Sequence, residues 1–214
     1  MNPLLEARLK SLQDALNELA SGVDDNLRTV LLRLTCDSAV SAAVRMVPIE
    51  ELARTARERT LLVVAREHPL ASDLKFAMAT LRVEHDYERI NELTVSLNNR
   101  IELLVGTPVQ EVLQDMTGVM ADILSFHAIV RTSWDRGSNR SNDQTEQART
   151  LVSRIHDGIV RAQTRILSSI SSGQGTPESF IEIVLACRHL KRIALTMEVI
   201  PEEIHSFDRP AATA

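Results

Sequence analysis

Cysteines and aromatic residues are scarce in this chain of 214 residues. It contains 2 Cys, 7 Gly and 7 Pro, and only 3% of its residues are aromatic. Cys36 and Cys187 lie far apart and neither belongs to a paired spacing, so neither a disulfide framework nor a thiolate metal site is predicted. Each is expected to be a small buried hydrophobe in a reducing cytoplasm. The shortage of aromatic side chains also leaves no ladder for stacking nucleic-acid bases.

Long apolar runs and an excess of basic residues are missing as well. The longest apolar runs, LLVVA at 61–65 and IVLAC at 183–187, fall far short of the roughly 20 residues that a bilayer span requires. The amino terminus has no basic stretch followed by an apolar one, so no signal peptide is expected. The formal net charge is -5 and the pI about 5.7, which argues against binding to nucleic acid or to an anionic membrane. A cytoplasmic protein is the expectation.

Helical periodicity dominates the residues that are present. Hydrophobic residues make up 44% and charged residues 25%, a balance typical of helical bundles when Leu, Ala, Glu and Arg supply most of it. Apolar residues recur at steps of three and four through six segments separated by proline, glycine and polar stretches. The prediction is an all-α protein. Its helices are expected at 4–37, 37–67 with Pro48 kinking or restarting the helix, 74–105, 108–134, 145–170, and 178–207 with an interruption at Pro201.

The two halves of the chain also echo each other. The segment RVEHDYERIN at 82–91 aligns with LACRHLKRIA at 185–194. An internal duplication with three helices in each half predicts two tandem three-helix bundles. The first is expected to occupy residues 1–106 and the second residues 107–214.

The third predicted helix has an apolar stripe and a polar face. At about 100° per residue, the polar face gathers His85, Glu88, Arg89, Glu92 and Ser96, because steps of three and four residues bring side chains together. The stripe on the other side is expected to face the core and consists of Val83, Tyr87, Ile90, Leu93, Leu97, Ile101 and Leu104.

Two interpretations of the polar face remain open. Glu88 and Glu92 stand one turn apart and repel each other unless a cation neutralises their charges. With His85 they are therefore a candidate metal-binding site rich in oxygen ligands. Alternatively the face is simply solvated, and Arg89 supplies the counter-charge. Asp86 projects toward the edge of the core stripe and requires a hydrogen bond or a charged partner there.

The same helix carries the residues of a known family motif. The segment at 68–99 has a proline-led A-x-D-L-K entry followed by D-Y-E-R-I-N-E, and it resembles the PhoU family of phosphate-signalling regulators. In that family A-x-D-L-R precedes D-L-E-R-I-G-D and often an Asn four residues later. A fainter copy, RHLKRIALTMEVI, lies at 188–200, so the resemblance covers nearly the whole chain. The matching positions in the first copy are Pro69, Ala71, Asp73, Leu74, Lys75, Asp86, Tyr87, Glu88, Arg89, Ile90, Asn91, Glu92 and Ser96.

The resemblance implies a function as well as a fold. PhoU-like proteins are two three-helix bundles, usually cytoplasmic and often dimeric. They restrain phosphate uptake and phosphate-starvation gene expression by coupling the ATPase of a phosphate ABC transporter to a membrane sensor histidine kinase. The resemblance therefore implies signal transduction by docking, with no turnover of substrate, and a homodimer.

The resemblance also implies roles for particular residues. Some family members hold iron, zinc or other metals through acid-x-x-x-acid motifs, and Glu88 and Glu92 have that spacing here, with His85 as a possible further ligand. In the second copy Lys191 and Leu195 replace the two acids, so no cation is expected there. The residues expected to be polar posts that fix the third helix against its neighbours are Asp73, Asp86 and Arg89.

Other functions remain as alternatives. An HD-type metal-dependent phosphohydrolase would use His85-Asp86 or His156-Asp157, with His68 and Asp115 or Asp122 as further ligands. A metal-free helical adaptor with a role outside phosphate is the other alternative. The arginines of the fifth predicted helix form either a solvated face paired with neighbouring acids or a docking strip for an acidic partner. These arginines are Arg149, Arg154, Arg161 and Arg165.

Overall fold

Six long helices make up the part of the chain that the structure describes. This computed structural model describes residues 3–35, 45–70, 72–104, 110–132, 134, 142–173 and 175–205. These residues contain no strand, so the all-α prediction is confirmed. The helices are α1 (Pro3–Thr35), α2 (Glu50–Glu67), α3 (Ser72–Glu102), α4 (Gln110–Arg131), α5 (Asn142–Ser171) and α6 (Pro177–His205).

The helix ends follow the proline and polar signals, with two differences. Residues 45–49 are not helical and α2 begins after Pro48, so this proline precedes a helix start. At the other end of α2, His68 takes a left-handed conformation with φ of 44° immediately before Pro69, which closes the helix as predicted. The interruption predicted at Pro201 is wrong, because α6 continues through it to His205. The predicted stop near Asp37 lies outside the described residues.

The periodic apolar residues form the core. All seven residues of the predicted stripe are buried, six on α3 and Leu104 just after its end, which confirms the helical register. In α1, buried leucine and valine side chains recur in the same way over most of its 33 residues. Helix α4 adds Met116, Met120 and Phe126, and Trp134 packs at its end. Burial of this apolar area is the main source of stability for such long helices, since helix propensity alone contributes little.

Helices of both halves contact one core. Helices α1, α2 and α3 contact one another, as do α4, α5 and α6. In addition, α3 packs along α6 in the most extensive helix pair of the described residues, and α1 packs along α4. The largest cluster of buried side chains runs through helices of both halves. The division into bundles at residues 106 and 107 stays a prediction.

Two local features set how the second-half helices meet. A Cβ atom at Gly158 would lie 2.5 Å from Cγ2 of Val119, so the glycine permits α5 to approach α4 closely. At the start of α6, the Thr176 hydroxyl accepts a hydrogen bond from the Ser179 amide at 3.3 Å, and the Ser179 hydroxyl accepts one from the Thr176 amide at 3.1 Å. With Pro177 as the first helical residue, this reciprocal cap begins the helix.

Candidate functional site

The three predicted metal ligands lie on the outer face of α3, where their spacing placed them. The carboxylate of Glu88 is partly buried and accepts a hydrogen bond from Nη2 of Arg57 at 2.7 Å. The carboxylate of Glu92 accepts one from Nη1 of Arg89 at 2.6 Å and is 64% exposed. His85 is exposed. Both carboxylates of the acid pair therefore already contact an arginine.

Arg57 of α2 bridges two carboxylates that stand one turn apart on α3. Its Nη2 atom lies 2.5 Å from Oε1 of Glu84, and its Nε atom lies 3.3 Å from Oε2 of the same residue. The contact to Glu88 uses the same Nη2 atom. Fork-like contacts of this kind are among the stronger charged hydrogen bonds in proteins. One guanidinium thus neutralises much of the repulsion between Glu84 and Glu88.

Glu84 is the buried member of this network. Its side chain is 2% exposed, whereas that of Arg57 is 44% exposed. Burial raises the pKa of Glu84, and the contact with Arg57 partly opposes that shift. The pKa of Arg57 is raised in turn, mainly by its hydrogen bonds to Glu84. The pair therefore links α2 to α3 through a carboxylate that water does not solvate.

The local sequence of α2 explains why Arg57 reaches α3. The residues that α2 buries are mostly small, namely Ala53, Ala56, Thr60 and Val63. Small side chains let a helix lie close to its neighbours, so an arginine at the flank of this face can span the gap to α3. The Arg54 side chain, which is three residues earlier, instead pairs within α2 with Glu51 and Glu58.

The side chains as placed do not fit a metal centre. Arginines contact both Glu88 and Glu92, and no group of three or more His, Cys, Asp or Glu side chains within the described residues is arranged to hold a metal ion. A cation would have to displace the guanidinium of Arg57 to reach this acid pair. Metal binding by Glu88, Glu92 and His85 stays a prediction, and it would require these arginine contacts to rearrange.

The residues predicted as polar posts lie along α3. Asp73 falls in its first turn, and both Asp73 and Asp86 are partly buried. Arg89 pairs with Glu92 inside the same helix. Their role in fixing α3 against neighbouring helices stays a prediction.

Further polar contacts between helices are made by residues outside the predicted set. Asn26 of α1 donates through Nδ2 to Oδ1 of Asn91 on α3 at 2.7 Å and to the Val47 carbonyl at 2.9 Å. Its Oδ1 atom accepts the Val47 amide at 2.6 Å. Asn26 and Asn91 are buried, so these bonds satisfy groups that are costly to leave unpaired.

A second buried network joins the two halves. Nδ1 of His127 on α4 lies 3.1 Å from Oδ1 of Asp24 on α1, and its Nε2 lies 3.2 Å from the Tyr87 hydroxyl on α3. Arg28 donates to the other oxygen of Asp24 at 2.6 Å. A carboxylate can only accept, so Nδ1 of His127 carries the proton and Nε2 accepts the hydroxyl proton of Tyr87. The rings of Tyr87 and Trp134 meet edge to face at a centroid distance of 5.8 Å.

Burial sets the ionisation of this network. The hydrogen bond to His127 lowers the pKa of Asp24 to about 2 against the opposing effect of burial. Burial lowers the pKa of His127, and raises the pKa of Tyr87 well above its ordinary value. A histidine held by an aspartate can activate a neighbouring hydroxyl as a nucleophile. Tyr87, however, is fully buried and no substrate can reach it. The network is therefore structural.

The arginines of α5 are mostly paired with acids of α4. Arg154 lies 2.8 Å from Asp122, and Arg165 lies 2.7 Å from Asp115 and 2.6 Å from Glu111. These pairs match the interpretation of a face neutralised by neighbouring acids. The same pairs engage the two aspartates nominated for a phosphohydrolase, and within the described residues no metal-ligand group assembles around them.

An open cavity of about 400 Å³ lies between α4, α5 and α6. Its lining includes Phe126, Val152 and Pro201, with Arg149 and Glu198 as the charged members. Arg149 belongs to the predicted docking strip, whereas the predicted metal ligands Glu88, Glu92 and His85 do not line the cavity.

Arg57 and Glu84 are the members of this charged network that the sequence did not predict. A signal for Glu84 exists, because Glu84, Asn91 and Asn98 recur every seven residues beside the apolar stripe and all three are buried. A line of polar residues at that spacing predicts interhelical hydrogen bonds. No comparable periodic signal marks Arg57 as the partner of Glu84.

Comparison with known proteins supports the fold. No family model and no curated protein matches this chain. Among solved structures, the crystal structure of PhoU from Pseudomonas aeruginosa superposes with a TM-score of 0.81, covering 95% of this chain and 98% of that chain at 18% identity. At this identity the likeness establishes the fold, and the predicted PhoU-like fold is confirmed. In the described residues, no helix has the length and apolar character needed to cross a bilayer.

Proposed function

We propose that this protein is a regulator of phosphate uptake and phosphate-starvation signalling. It acts by docking to the ATPase of a phosphate ABC transporter and to a membrane sensor histidine kinase in the cytoplasm. The observation that carries the proposal is the PhoU-like fold over 95% of the chain. The motif at 68–99, which resembles that family in sequence, is a second and separate support.

The charged site favours docking over turnover. Arg57 and Arg89 contact the carboxylates that would otherwise be free for acid–base chemistry, and the buried histidine of the Asp24–His127–Tyr87 network is closed to substrate. A helical surface with fixed charges can recognise a partner without changing it chemically. A homodimer, which the family resemblance implies, belongs to the same proposal and is tested by sedimentation equilibrium.

The proposal is tested in a strain that lacks this protein. Under phosphate excess, phosphatase reporter activity and phosphate uptake are measured in the deletion strain and in the same strain complemented with the wild-type chain. Constitutive reporter activity and excess uptake, both reversed by complementation, are the expected results. Unchanged reporter activity and uptake in the deletion strain would overturn the phosphate role and leave a helical adaptor of other function.

Docking is tested separately with purified proteins. The wild-type chain is expected to co-sediment or co-elute with the ATPase of the phosphate transporter and with the cytoplasmic part of the kinase from the same organism. Absence of both complexes, together with a normal effect on uptake in cells, would contradict direct docking and indicate an indirect route.

A metal at the acid pair is a further prediction that the family resemblance supplies. If Glu88 and Glu92 hold an iron, zinc or other divalent ion, the double variant Glu88→Gln/Glu92→Gln loses the metal and keeps its helicity. Retention of stoichiometric metal in that variant would contradict the assignment. The arginine contacts favour the opposite result, in which the guanidinium of Arg57 supplies the counter-charge.

A further inference from the structure

Helix α6 presents a stripe of apolar side chains to solvent. Six of its exposed residues lie within an arc of about 80° when successive residues are placed about 100° apart. They span about five turns, or about 27 Å along the helix. Four of them are large aliphatic side chains that are 46% to 58% exposed. This outer stripe consists of Ile181, Val184, Arg188, Lys191, Leu195 and Val199.

The fold does not require aliphatic side chains at these positions. The core side of α6 is formed by other residues, namely Ile183, Ala186, Leu190, Ile193 and Met197. In the repeat, Leu195 aligns with Glu92 of α3. Val199 likewise aligns with Ser96, so the first copy of the motif folds with polar groups at both positions. A contiguous line of exposed aliphatic side chains is typical of a surface that another protein covers.

The middle of the outer stripe is basic. Arg188 and Lys191 occupy its two central positions, and neither forms an ion pair with any of the described residues. Glu182 of the same helix is engaged by Arg100. Glu198 stands seven residues after Lys191, about 10 Å along the helix. The chain has a net charge of -5, so this positive centre is a local feature of α6.

The basic centre makes a second copy of this chain a poor occupant of the outer stripe. In a two-fold dimer the same patch faces itself. The midpoint of the stripe falls at Leu190, so two centred stripes would bring Arg188 and Lys191 of both copies together. Like charges opposite each other in an interface are strongly unfavourable. The charges therefore favour a different chain that places acidic side chains at the centre.

We propose that the outer stripe of α6 docks an amphipathic helix of a partner protein, with aliphatic side chains at both ends of its contact face and acidic side chains in the middle. The partner's aliphatic residues pack on the four aliphatic side chains of the stripe, and its carboxylates pair with Arg188 and Lys191. The long stems of these two side chains add apolar contact around the charges. This surface rests on the docking role proposed above, to which it adds a location and the chemistry of the partner.

The test measures binding of the full chain to the two partners proposed above, the transporter ATPase and the cytoplasmic part of the kinase, by isothermal titration calorimetry. At least one of them is expected to bind the wild-type chain. In Leu195→Gln/Val199→Gln its affinity is expected to fall by roughly tenfold or more, because apolar contact at one end of the stripe is lost. In Arg188→Glu/Lys191→Glu the fall is expected to be larger, because the reversed charges repel the acidic centre.

Matched controls change the same kinds of side chain elsewhere. Leu61→Gln/Leu62→Gln replaces two exposed leucines of α2, and Lys10→Glu/Arg66→Glu reverses one exposed lysine and one exposed arginine. Both controls are expected to bind the partner as the wild-type chain does. Circular dichroism is used to confirm that all four double variants keep their helices.

A zero-length cross-link tests the chemistry of the contact. A carbodiimide condenses an amine with a carboxylate to an amide and takes up the released water as a urea. Lys191 is therefore expected to become joined to an Asp or Glu in a helix of the partner, and mass spectrometry of the cross-linked peptides locates that residue. Lys191→Arg is expected to keep the binding and lose the cross-link. A complex that forms without a cross-link to Lys191 would contradict an acidic contact at this position.

The docking surface is overturned if both stripe variants bind the partner as tightly as the wild-type chain does. It also fails if neither partner binds the wild-type chain, and in that case the uptake assay still decides the regulatory role. Loss of self-association in the stripe variants, with partner binding unchanged, would assign the stripe to a second copy of the chain and remove this proposal. A protein that restrains uptake and binds its partner through another surface would leave the regulatory proposal intact and remove this one alone.

Discussion

The two halves of the molecule carry one helical motif with different charges on its outer face. The aligned repeat places Lys191 and Leu195 of α6 at the positions that Glu88 and Glu92 occupy on α3. Both copies nevertheless keep their apolar residues at the core positions, and both helices pack in the same bundle. The comparison shows that core spacing fixes the fold while the exposed face is free to change sign, because its charges contribute little to burial.

The two faces also differ in how their charges are satisfied. On α3, Glu84 and Glu88 are bridged by Arg57 from the neighbouring helix. On α6, Arg188 and Arg192 find no carboxylate partner among the described residues. The ion pairs of Arg57 therefore link two helices, whereas Arg188 and Arg192 add no such link between the described helices.

The largest expected loss of stability comes from replacing Arg57, which pairs with Glu84 and Glu88. Arg57→Ala leaves the carboxylate of Glu84 buried without a cation, and removal of one partner from a buried pair costs roughly 3–5 kcal/mol. Because Arg57 is 44% exposed, we expect a loss of about 2–3 kcal/mol in the free energy of unfolding, measured by urea denaturation. Arg54→Ala removes two exposed ion pairs within α2, with Glu51 and Glu58, and serves as the control, with a much smaller change expected.

A double variant separates charge from packing at the same place. Replacing both partners, as in Arg57→Met/Glu84→Leu, is expected to restore most of the stability that Arg57→Ala loses, since no charge remains buried. Equal losses in Arg57→Ala and Arg54→Ala, or no recovery in the double variant, would contradict the role assigned to Glu84.

A smaller effect is expected from the network that holds the halves together. Tyr87→Phe removes only the hydroxyl that donates to His127 and keeps the aromatic contacts with Trp134. Leaving Nε2 of His127 unpaired is expected to cost about 1–2 kcal/mol in the free energy of unfolding. The same substitution made in a His127→Gln background is expected to cost less, and additive effects would show that the two groups do not interact.

The loss of stability at low pH is expected to depend on two histidines. His127 on α4 is fully buried, and His189 on α6 is partly buried. The pKa values of His127 and His189 are lowered in the folded state, so the unfolded state binds protons more readily. Stability is therefore expected to fall as the pH drops below about 6.5, the ordinary histidine pKa. Asp24 extends the loss below its ordinary value, since folding lowers its pKa from 3.8 to about 2.

Variants of the two histidines show which of them causes the loss of stability at low pH. His127→Gln and His189→Gln are each expected to flatten part of the fall in urea midpoint with pH. If both variants keep the pH dependence of the wild-type urea midpoint, neither imidazole is responsible for it.

The smallest expected effect comes from making the second copy resemble the first. Leu195→Glu places a carboxylate three residues after Arg192, as Glu92 stands after Arg89. Such a pair is expected to stabilise the protein by about 0.2–0.5 kcal/mol in the free energy of unfolding, measured by urea denaturation. Leu195→Gln is the control, and equal stability of the two variants would show that Arg192 does not pair with the new carboxylate.

The helices and their core faces follow from the sequence because burial imposes a period on it. The stripe from Val83 to Leu104 is an example, since every residue predicted to be buried is buried. Proline was less informative: Pro48 precedes a helix start, but Pro201 is accommodated inside α6. A proline ring removes one backbone bond, and packing of the remaining helix can outweigh that cost.

The sequence predicted only part of the charged site. The spacing of Glu88 and Glu92 placed them on one outer face, but it carried no information about which side chain of another helix faces them. Arg57 reaches that face because α2 packs against α3, a tertiary contact that periodicity does not encode. Glu84 escaped notice for a related reason, since a carboxylate beside the stripe looks solvated until its partner is known.

The measurement that tests the comparison most directly is the metal content of the wild-type protein, determined by inductively coupled plasma mass spectrometry after purification without chelators. If Arg57 supplies the counter-charge for the acid face, we predict less than stoichiometric iron, zinc or other transition metal. Stoichiometric metal that disappears in Glu88→Gln/Glu92→Gln would contradict this account, because it would show that a cation displaces the guanidinium and that the first copy of the motif is a metal centre.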